Sequence, residues 1–373
     1  MSWGLHKAGF DVVAAVDAWD IALKTFKHNH PESLIFNGDI RQIPPALVME
    51  RLGLERGELD VIIGGPPCQG FSKNVVASSR FLGDERNQLF NEYLHYVEAF
   101  WPKIVVMENV AELYNAYEGV VRTEIVARLE QMGYQVGVKV LFAPDYGVPQ
   151  RRRRCIFFAS RTGVAPVFPA ATHGEASVKT LFENTEPYVS AWNAISDLPV
   201  LQNGEGAERM PYDATAANAF QAFMRRDSPE LLNHKTRELK DVQMQRVTSL
   251  KAGQGLKDLP DHLRPKGGYS GAYGRLDFTS VAPTITRWVF HPGSGRYCHP
   301  REARLITTRE AARLQSFTDD FHFLGTFIEK AHQIGNAVPA LLMYALAPNI
   351  KHCLREVGPS AAAIPRQRVA ALS

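Results

Sequence analysis

The chain has 373 residues and a formal net charge of +3 at pH 7; 45% of its residues are hydrophobic and 22% are charged. This composition is that of a soluble globular protein, and no apolar run approaches the roughly 18 residues that a membrane span needs. Because Met1 is followed by Ser, Trp and Gly rather than by a basic and then an apolar stretch, we expect a protein of the cytoplasm without a membrane partner.

The first half of the chain alternates between strand-type and helix-type patterns. Runs rich in Val, Ile and Phe predict strands at 10–16, 61–64, 104–107, 135–142 and 155–159, and helical patterns lie at 19–28, 88–100 and 121–132. Strands alternating with helices favour parallel pairing with helices on both faces. We therefore predict an α/β fold with a doubly wound, mostly parallel sheet.

The second half has a different character. Residues 164–299 are rich in Pro, Gly, Asn and Asp, which predicts a separate, loop-rich module. Thr307 followed by Glu310 predicts a helix with a capping box, and 338–346 predicts a last helix. Small and basic residues from 358 to 373 predict a frayed end.

The four cysteines give no framework for metal or disulfide. Cys68, Cys155, Cys298 and Cys353 lie far apart and form no CxxC pair, which argues against a zinc ribbon. Cys298 with the nearby histidines 291 and 299 would leave a metal site without a fourth ligand. We expect no metal.

The stretch GGPPCQGFS, residues 64–72, places one thiol in a turn directly after an apolar strand. Pro and Gly keep a loop open and bare, which suits a nucleophile that approaches a flat substrate better than it suits a buried structural thiol. Cys68 is therefore a candidate nucleophile.

Charged residues follow other strands. Glu108 in MENV is either an acid that handles a proton or a cap for the next helix. Four adjacent arginines in PQRRRR, residues 149–154, suggest an anionic partner or a solvated charge run. Asp17 occupies the position that holds ribose hydroxyls in nucleotide-type sites, and Asp39 is a candidate contact to a base edge. Since ligands bind beyond the carboxyl ends of such strands, one crevice could hold Asp17, Cys68 and Glu108.

Together these motifs resemble the DNA (cytosine-5) methyltransferase family. GGPPCQGFS is similar to its catalytic loop, ENV to its second catalytic motif and QRRRR to its Gln-x-Arg-x-Arg motif, while RLITTREAARLQSF and QIGNAVP are similar to its two carboxy-terminal motifs. The five matches occur in the family's order, almost from end to end of the chain.

The resemblance implies a reaction and a cofactor. Cys68 would attack C6 of a cytosine flipped out of double-stranded DNA, Glu108 would hold N3 of that base, and C5 would take the methyl group of S-adenosyl-L-methionine, leaving S-adenosyl-L-homocysteine. The implied catalytic residues also include Gln150, Arg152 and Arg154. The implied cofactor contacts are Asp17, Trp19, Asp39, Ile40, Pro66, Asn336 and Val338, and the candidate DNA contacts are Ser72, Arg275, Thr284 and Thr286.

The resemblance also implies a domain plan: a catalytic and cofactor-binding domain at 1–190, a target-recognition domain at 191–299, the rest of the catalytic domain at 300–352 and a flexible tail at 353–373. The implied setting is a monomer in the bacterial cytoplasm or nucleoid, with a cognate restriction endonuclease that acts on the same DNA site.

One departure from the family stands out. The family begins with a strand and a loop of the form Asp-Leu-Phe-x-Gly-x-Gly-Gly, whereas this chain begins with MSWGLHKAGF, which resembles the segment after that loop. We therefore expect a sheet without its first strand and fewer backbone donors to the cofactor, either through a start codon assigned too late or through a genuine loss. Two alternatives stay open: a non-catalytic nucleic-acid-binding relative, and a cytosine-5 methyltransferase acting on transfer RNA.

Overall fold

The computed structural model describes residues 1–66, 88–175, 185–267, 271–355 and 367–372. The described chain forms two compact units. Unit 1 comprises Met1–Phe142, Arg153–Ala170 and Leu342–Ser373, and unit 2 comprises Ala143–Arg152 and Ala171–Leu341. This division differs from the expected plan, because most of 300–352 packs within the unit that contains 191–299.

Unit 1 is built around one large sheet. Its strands are β1 (Asp11–Asp17), β2 (Leu34–Asn37), β3 (Val61–Gly64), β4 (Ile104–Val110), β5 (Gln135–Phe142), β6 (Arg153–Ser160) and β11 (Arg368–Leu372). The four strand numbers between β6 and β11 belong to short strands of unit 2, given below. Its helices are α1 (Ser2–Lys7), α2 (Asp20–Asn29), α3 (Pro45–Leu52), α4 (Gln88–Phe100) and α5 (Val120–Gln131). These bounds match the predicted elements closely, and β2, α1 and α3 are additional.

The order of the strands is β2-β1-β11-β3-β4-β6-β5. Neighbouring strands from β2 to β4 are parallel, whereas β6 runs antiparallel to both β4 and β5. All four residues of β3 are buried, as expected for a central strand with both faces covered. The predicted fold class, a doubly wound and mostly parallel sheet, is confirmed.

The carboxy-terminal strand corrects one prediction. Residues 358–373 were expected to be frayed and the sheet to lack a strand, but Arg368–Leu372 pairs with β1 on one side and β3 on the other. The side chains of Val369, Ala370 and Leu372 are buried. A five-residue run with two alanines is too short to show a period, so the sequence pattern alone did not reveal it.

Unit 2 has smaller elements. Its strands are β7 (His173–Gly174), β8 (Glu186–Pro187), β9 (Gly206–Met210) and β10 (Leu231–Lys235), and its helices are α6 (Ala191–Ile195), α7 (Ala219–Arg225), α8 (Asp241–Thr248), α9 (Thr308–Leu314) and α10 (Phe327–Asn336). The last helix of the chain, α11 (Ala340–Leu354), continues into unit 1. The predicted capping box of α9 is present: Thr307 accepts from the Glu310 amide, and the Glu310 carboxylate accepts from that of Thr307.

Among the described residues, no helix combines the length and the apolar character that crossing a membrane requires.

Candidate active site

The candidate active site lies at one edge of the sheet of unit 1. Because β1, β3 and β4 are parallel, their carboxyl ends meet there, and β6, which is antiparallel, begins there. Asp17 ends β1, Pro66 follows β3, Glu108 lies near the end of β4 and Arg154 near the start of β6. Residues far apart in sequence therefore share this edge, as the sequence predicts for Asp17 and Glu108.

Glu108 and Arg154 form an ion pair across neighbouring strands. The Arg154 Nε lies against Glu108 Oε1, and both side chains are largely buried, with 16% and 13% of their surfaces exposed. A largely buried carboxylate without such a partner would be costly. The pair holds the Glu108 carboxylate in one direction.

Gly65, which lies beside the Glu108 carboxylate, has no side chain. A Cβ added at Gly65 would lie 3.0 Å from Glu108 Oε2, so a side chain there would crowd the carboxylate. The buried Asn109 donates from Nδ2 to the Pro66 carbonyl at 3.1 Å, which ties the segment after β3 to the end of β4. Gly65 and Asn109 are site residues that the sequence analysis did not single out, although both lie within quoted motifs.

The expected nucleophile Cys68 and the expected DNA contact Ser72 lie outside the described residues.

Two expected cofactor carboxylates follow adjacent strands. Asp17 accepts a hydrogen bond at Oδ1 from the Trp19 amide at 2.8 Å, and Trp19 itself is half-buried. Asp39 follows β2 and is bound by Arg41, whose amide and Nε donate to Oδ1 at 3.0 and 2.9 Å. These hydrogen bonds lower the pKa of Asp39 to about 2. Ile40 next to it is buried.

Gln150 and Arg152, expected at the active site, cross-link segments within unit 2. Gln150 is fully buried; its amide donates to the Leu314 carbonyl at 3.0 Å and accepts from the Ile285 amide at 2.8 Å. Arg152 is also buried and donates to the carbonyls of Ile285 and Gly335, each at 2.9 Å. Burial thus alternates along this stretch, because Arg152 is buried whereas its neighbour Arg151 is exposed.

Arg275 does not have the geometry expected of a DNA contact. Only 7% of it is exposed, and its guanidinium donates to four backbone carbonyls within unit 2. Those acceptors are His299, Leu250, Pro300 and Glu302, at 2.9–3.1 Å. Arg275 therefore holds loops of unit 2 together. This role could not be predicted from the positive charge of the residue alone.

The other expected DNA contacts lie near the surface of unit 2. Thr284 is exposed and its hydroxyl donates to the Arg151 carbonyl at 2.5 Å. Thr286 lies 3.2 Å from the Tyr297 hydroxyl. Next to them Trp288 is 52% exposed, and the exposed Arg287 stacks on its ring at 5.2 Å. An exposed aromatic with a stacked cation is a feature of surfaces that bind nucleic acid.

The last two expected cofactor contacts, Asn336 and Val338, lie at the end of α10 and just after it. Asn336 is exposed and Val338 is buried. Gly335 before them packs so closely that an added Cβ would meet the Arg287 amide nitrogen at 2.2 Å. Their role toward a cofactor stays a prediction.

No group of metal-ligating side chains occurs within the described ranges. Cys298 is buried, and burial raises the pKa of its thiol to about 12. His299 beside it pairs through Nδ1 with Glu302.

A family model, C-5 cytosine-specific DNA methylase, matches residues 1–352. The chain therefore belongs to that family of enzymes. It is 31% identical to the type II methyltransferase M.AgeI of Thalassovita gelatinovora, with 93% of this chain and 96% of that one covered. It is 34% identical to the type II methyltransferase M1.HphI of Haemophilus parahaemolyticus, with 93% and 82% covered.

Solved structures share the fold. A prophage-encoded protein of E. coli has a TM-score of 0.73 at 24% identity, with 95% of each chain covered. The methyltransferase EhMeth of Entamoeba histolytica has a TM-score of 0.56 at 15% identity, with 95% and 96% covered.

Proposed function

We propose that this chain transfers a methyl group from S-adenosyl-L-methionine to C5 of a cytosine at a specific site in double-stranded DNA. The observation that carries the proposal is the Glu108 carboxylate, which Arg154 holds at the edge of the sheet beside the bare backbone of Gly65. Family membership supports the same reaction.

The proposed chemistry needs a nucleophile and a proton donor on one base. The Cys68 thiolate adds to C6 of the cytosine and forms a carbon–sulfur bond, while Glu108 donates a proton to N3. The electron pair of the C5–C6 double bond would then be available at C5 to take the methyl group that S-adenosyl-L-methionine would supply, with S-adenosyl-L-homocysteine as the leaving product. A base then removes the C5 proton, the carbon–sulfur bond to Cys68 breaks to release the thiolate and restore the C5–C6 double bond, and N3 returns its proton to Glu108. The base must be flipped out of the duplex for the sulfur to reach C6.

The residues of unit 1 fit a nucleoside-containing methyl donor. Carboxylates after adjacent strands, Asp17 and Asp39, are acceptors for ribose hydroxyls and for an exocyclic amine. When bound, S-adenosyl-L-methionine supplies the methyl group. In this proposal Asp17 and Trp19 orient the ribose, Asp39 and Ile40 flank the adenine, and Pro66 separates the cofactor from the base.

Unit 2 is the proposed target-recognition part, with Thr284, Thr286 and the Arg287–Trp288 pair as its surface toward DNA. The relatives of the whole chain, M.AgeI and M1.HphI, are named type II methyltransferases. A cognate endonuclease, a monomeric state and a place in the bacterial cytoplasm are parts of the same proposal.

A mechanism-based trap tests this function. A duplex with 5-fluorocytosine at its target sites should form a covalent adduct with the protein in the presence of S-adenosyl-L-methionine, because a fluorine cannot leave as a proton does. Cys68→Ala should abolish the adduct but keep duplex binding, whereas Cys353→Ala, a buried thiol of unit 1, should form it normally.

Two outcomes would contradict the proposal. Absence of any adduct at saturating cofactor would favour a non-catalytic nucleic-acid-binding protein. Methyl transfer to a transfer RNA in preference to every DNA duplex would favour the RNA enzyme.

A further inference from the structure

The sheet of unit 1 contains a strand from the far end of the chain. In doubly wound sheets the first strand lies between the second and the fourth, and a helix joins it to the second. Here β11 lies between β1 and β3, parallel to both. The helix α1 comes just before β1 in the chain and packs against it. The position of a first strand is thus occupied by residues 368–372.

Hydrogen bonds fix the start of β11 from both sides. The Asp11 amide donates to the Gln367 carbonyl at 2.8 Å, and the Arg368 amide donates to Asp60 Oδ2 at 2.9 Å. From there the register runs from Asp11 opposite Arg368 to Val16 opposite Leu372, with one irregularity between Val12 and Ala14.

The end of β11 fits closely against its neighbour. A Cβ added at Gly64 would lie 2.6 Å from the Leu372 carbonyl oxygen and 2.4 Å from Tyr93 Cε2. Only glycine therefore allows β11 and α4 to approach the end of β3 as they do.

The two ends of the chain meet at the edge that carries the candidate site. Leu372 lies opposite Val16 and Gly64, at the carboxyl ends of β1 and β3. Burial lowers the pKa of the Met1 amino group, just before α1, to about 6, and the Glu108 carboxylate opposes that shift. Lys351 of α11 also donates to the Ala8 carbonyl at 2.6 Å, which ties α1 to the last helix.

We infer that β11 is the first strand of this methyltransferase sheet, supplied in circularly permuted order, and that the end of β11 and the start of α1 together form the wall of the cofactor site. The cofactor part of this inference rests on the proposed function. The family match ends at residue 352, so it assigns nothing to β11.

The consequence is that cofactor binding should be coupled to the pairing of β11 with β1 and β3. A ligand in the crevice beyond β11 and β3 contacts the strand ends and stabilises the pairing of β11 with both neighbours.

Cysteine pairs test the position of the strand without using activity. Ala14 and Ala370 are opposite each other, whereas Ala15 is opposite Ala371 and so has its side chain on the other face of the sheet from Ala370. Ala14, Ala15 and Ala370, the three positions that are changed, are all buried. Under mild oxidation, the pair Ala14→Cys with Ala370→Cys should form a disulfide about tenfold faster than the pair Ala15→Cys with Ala370→Cys, as mass spectrometry of the linked peptides can measure.

Hydrogen exchange tests the coupling to the cofactor site. Saturating S-adenosyl-L-homocysteine should slow exchange of the amides of 368–372 in the full chain by roughly tenfold or more. The amides of β9, in unit 2, serve as the internal control and should change much less.

The outcomes distinguish the assignment of β11 as the first strand from its role in the cofactor site. Equal cross-linking of both cysteine pairs, or none in the folded protein, overturns the strand assignment. Calorimetric binding of S-adenosyl-L-homocysteine with unchanged exchange in 368–372 overturns the role of β11 in the site and leaves the proposed function standing. A disulfide in the first pair without any binding supports the strand assignment and removes the proposed function.

Discussion

At the scale of single residues, the candidate site depends on a carboxylate held by an arginine. Glu108 and Arg154 lie on neighbouring antiparallel strands, so their pairing is fixed by the register of the sheet and not by a loop. A proton donor that must meet one ring nitrogen gains from such fixed geometry. Asn109, joined to Pro66, adds a second fixed point at the same edge.

Glu108→Gln should reduce methyl transfer about 100-fold or more, because the amide cannot donate a carboxylic proton to the base. DNA affinity should change little. The measurements are transfer of a labelled methyl group and fluorescence anisotropy of a labelled duplex. Glu112→Gln, at an exposed acid a few residues further on, is the matched control. An equal loss in both variants, or a parallel loss of DNA affinity, would contradict the role of Glu108.

Arg275→Ala should destabilise the protein by about 2–5 kcal/mol, because it removes four hydrogen bonds and leaves buried carbonyls without a donor. Urea unfolding measures this. Arg287→Ala, at an exposed arginine of the same unit, should leave stability nearly unchanged and reduce the salt dependence of DNA binding. If Arg275→Ala retained full stability and instead lowered the salt dependence of DNA binding, the prediction that Arg275 contacts DNA would be correct.

At the scale of elements, α9 shows how a polar sequence can form a buried helix. Every residue of Thr308–Leu314 is buried. Arg313 donates to Asp319 at 2.9 and 2.6 Å and also pairs with Asp197, and Arg309 donates to the Leu232 carbonyl at 2.8 Å. Asp319 follows the helix closely in the chain, whereas Asp197 and Leu232 of β10 come from distant parts of the sequence. The capping box could be predicted because it is local, but the burial of its arginines could not.

The stability of this region should depend on pH through His234. Burial lowers the pKa of His234, which lies between Thr307 and the Pro199 carbonyl, at 3.0 and 2.9 Å. Since the folded pKa is below the unfolded value of about 6.5, the unfolded state binds the proton more readily, and stability falls as pH drops below about 6.5.

His234→Gln should therefore lose less stability than the parent protein between pH 7 and pH 5. Urea unfolding at the two pH values measures the difference. His95→Gln, at an exposed histidine of α4, is the matched control. The interpretation fails if His234→Gln shows the same acid sensitivity as the parent.

At the scale of the whole molecule, ligand binding should stabilise the folded chain. In unit 1, parallel strands from distant parts of the sequence bring their ends to one edge, so a ligand there contacts several strands at once. A ligand that binds only the folded state stabilises it by about 2.7 kcal/mol at 100 times its Kd.

S-Adenosyl-L-homocysteine should raise the melting temperature of the parent protein by several degrees, since about 1 kcal/mol corresponds to roughly 2–4 °C in a domain of about 150–250 residues. Asp17→Ala should remove most of that increase because it removes the acceptor for the ribose. Asp20→Ala, at an exposed residue of α2, is the control and should retain the increase. An equal increase in all three proteins would place the ligand elsewhere.

The sequence by itself determined the family, the class of fold and the motifs that carry the chemistry, because each of these is encoded in a short stretch of residues. Examples are the turn rich in Gly and Pro after β3, the acid at the end of β4 and the capping box of α9. Only the tertiary structure decided which partners these residues have. It showed that Arg275 and Arg152 bind carbonyls within the protein and that β11 fills the gap between β1 and β3. Such outcomes depend on contacts between residues that are separated in sequence, by 24 to 27 positions for Arg275 and by 133 or more for Arg152 and β11. A five-residue strand also carries too little local signal to predict its place in a sheet.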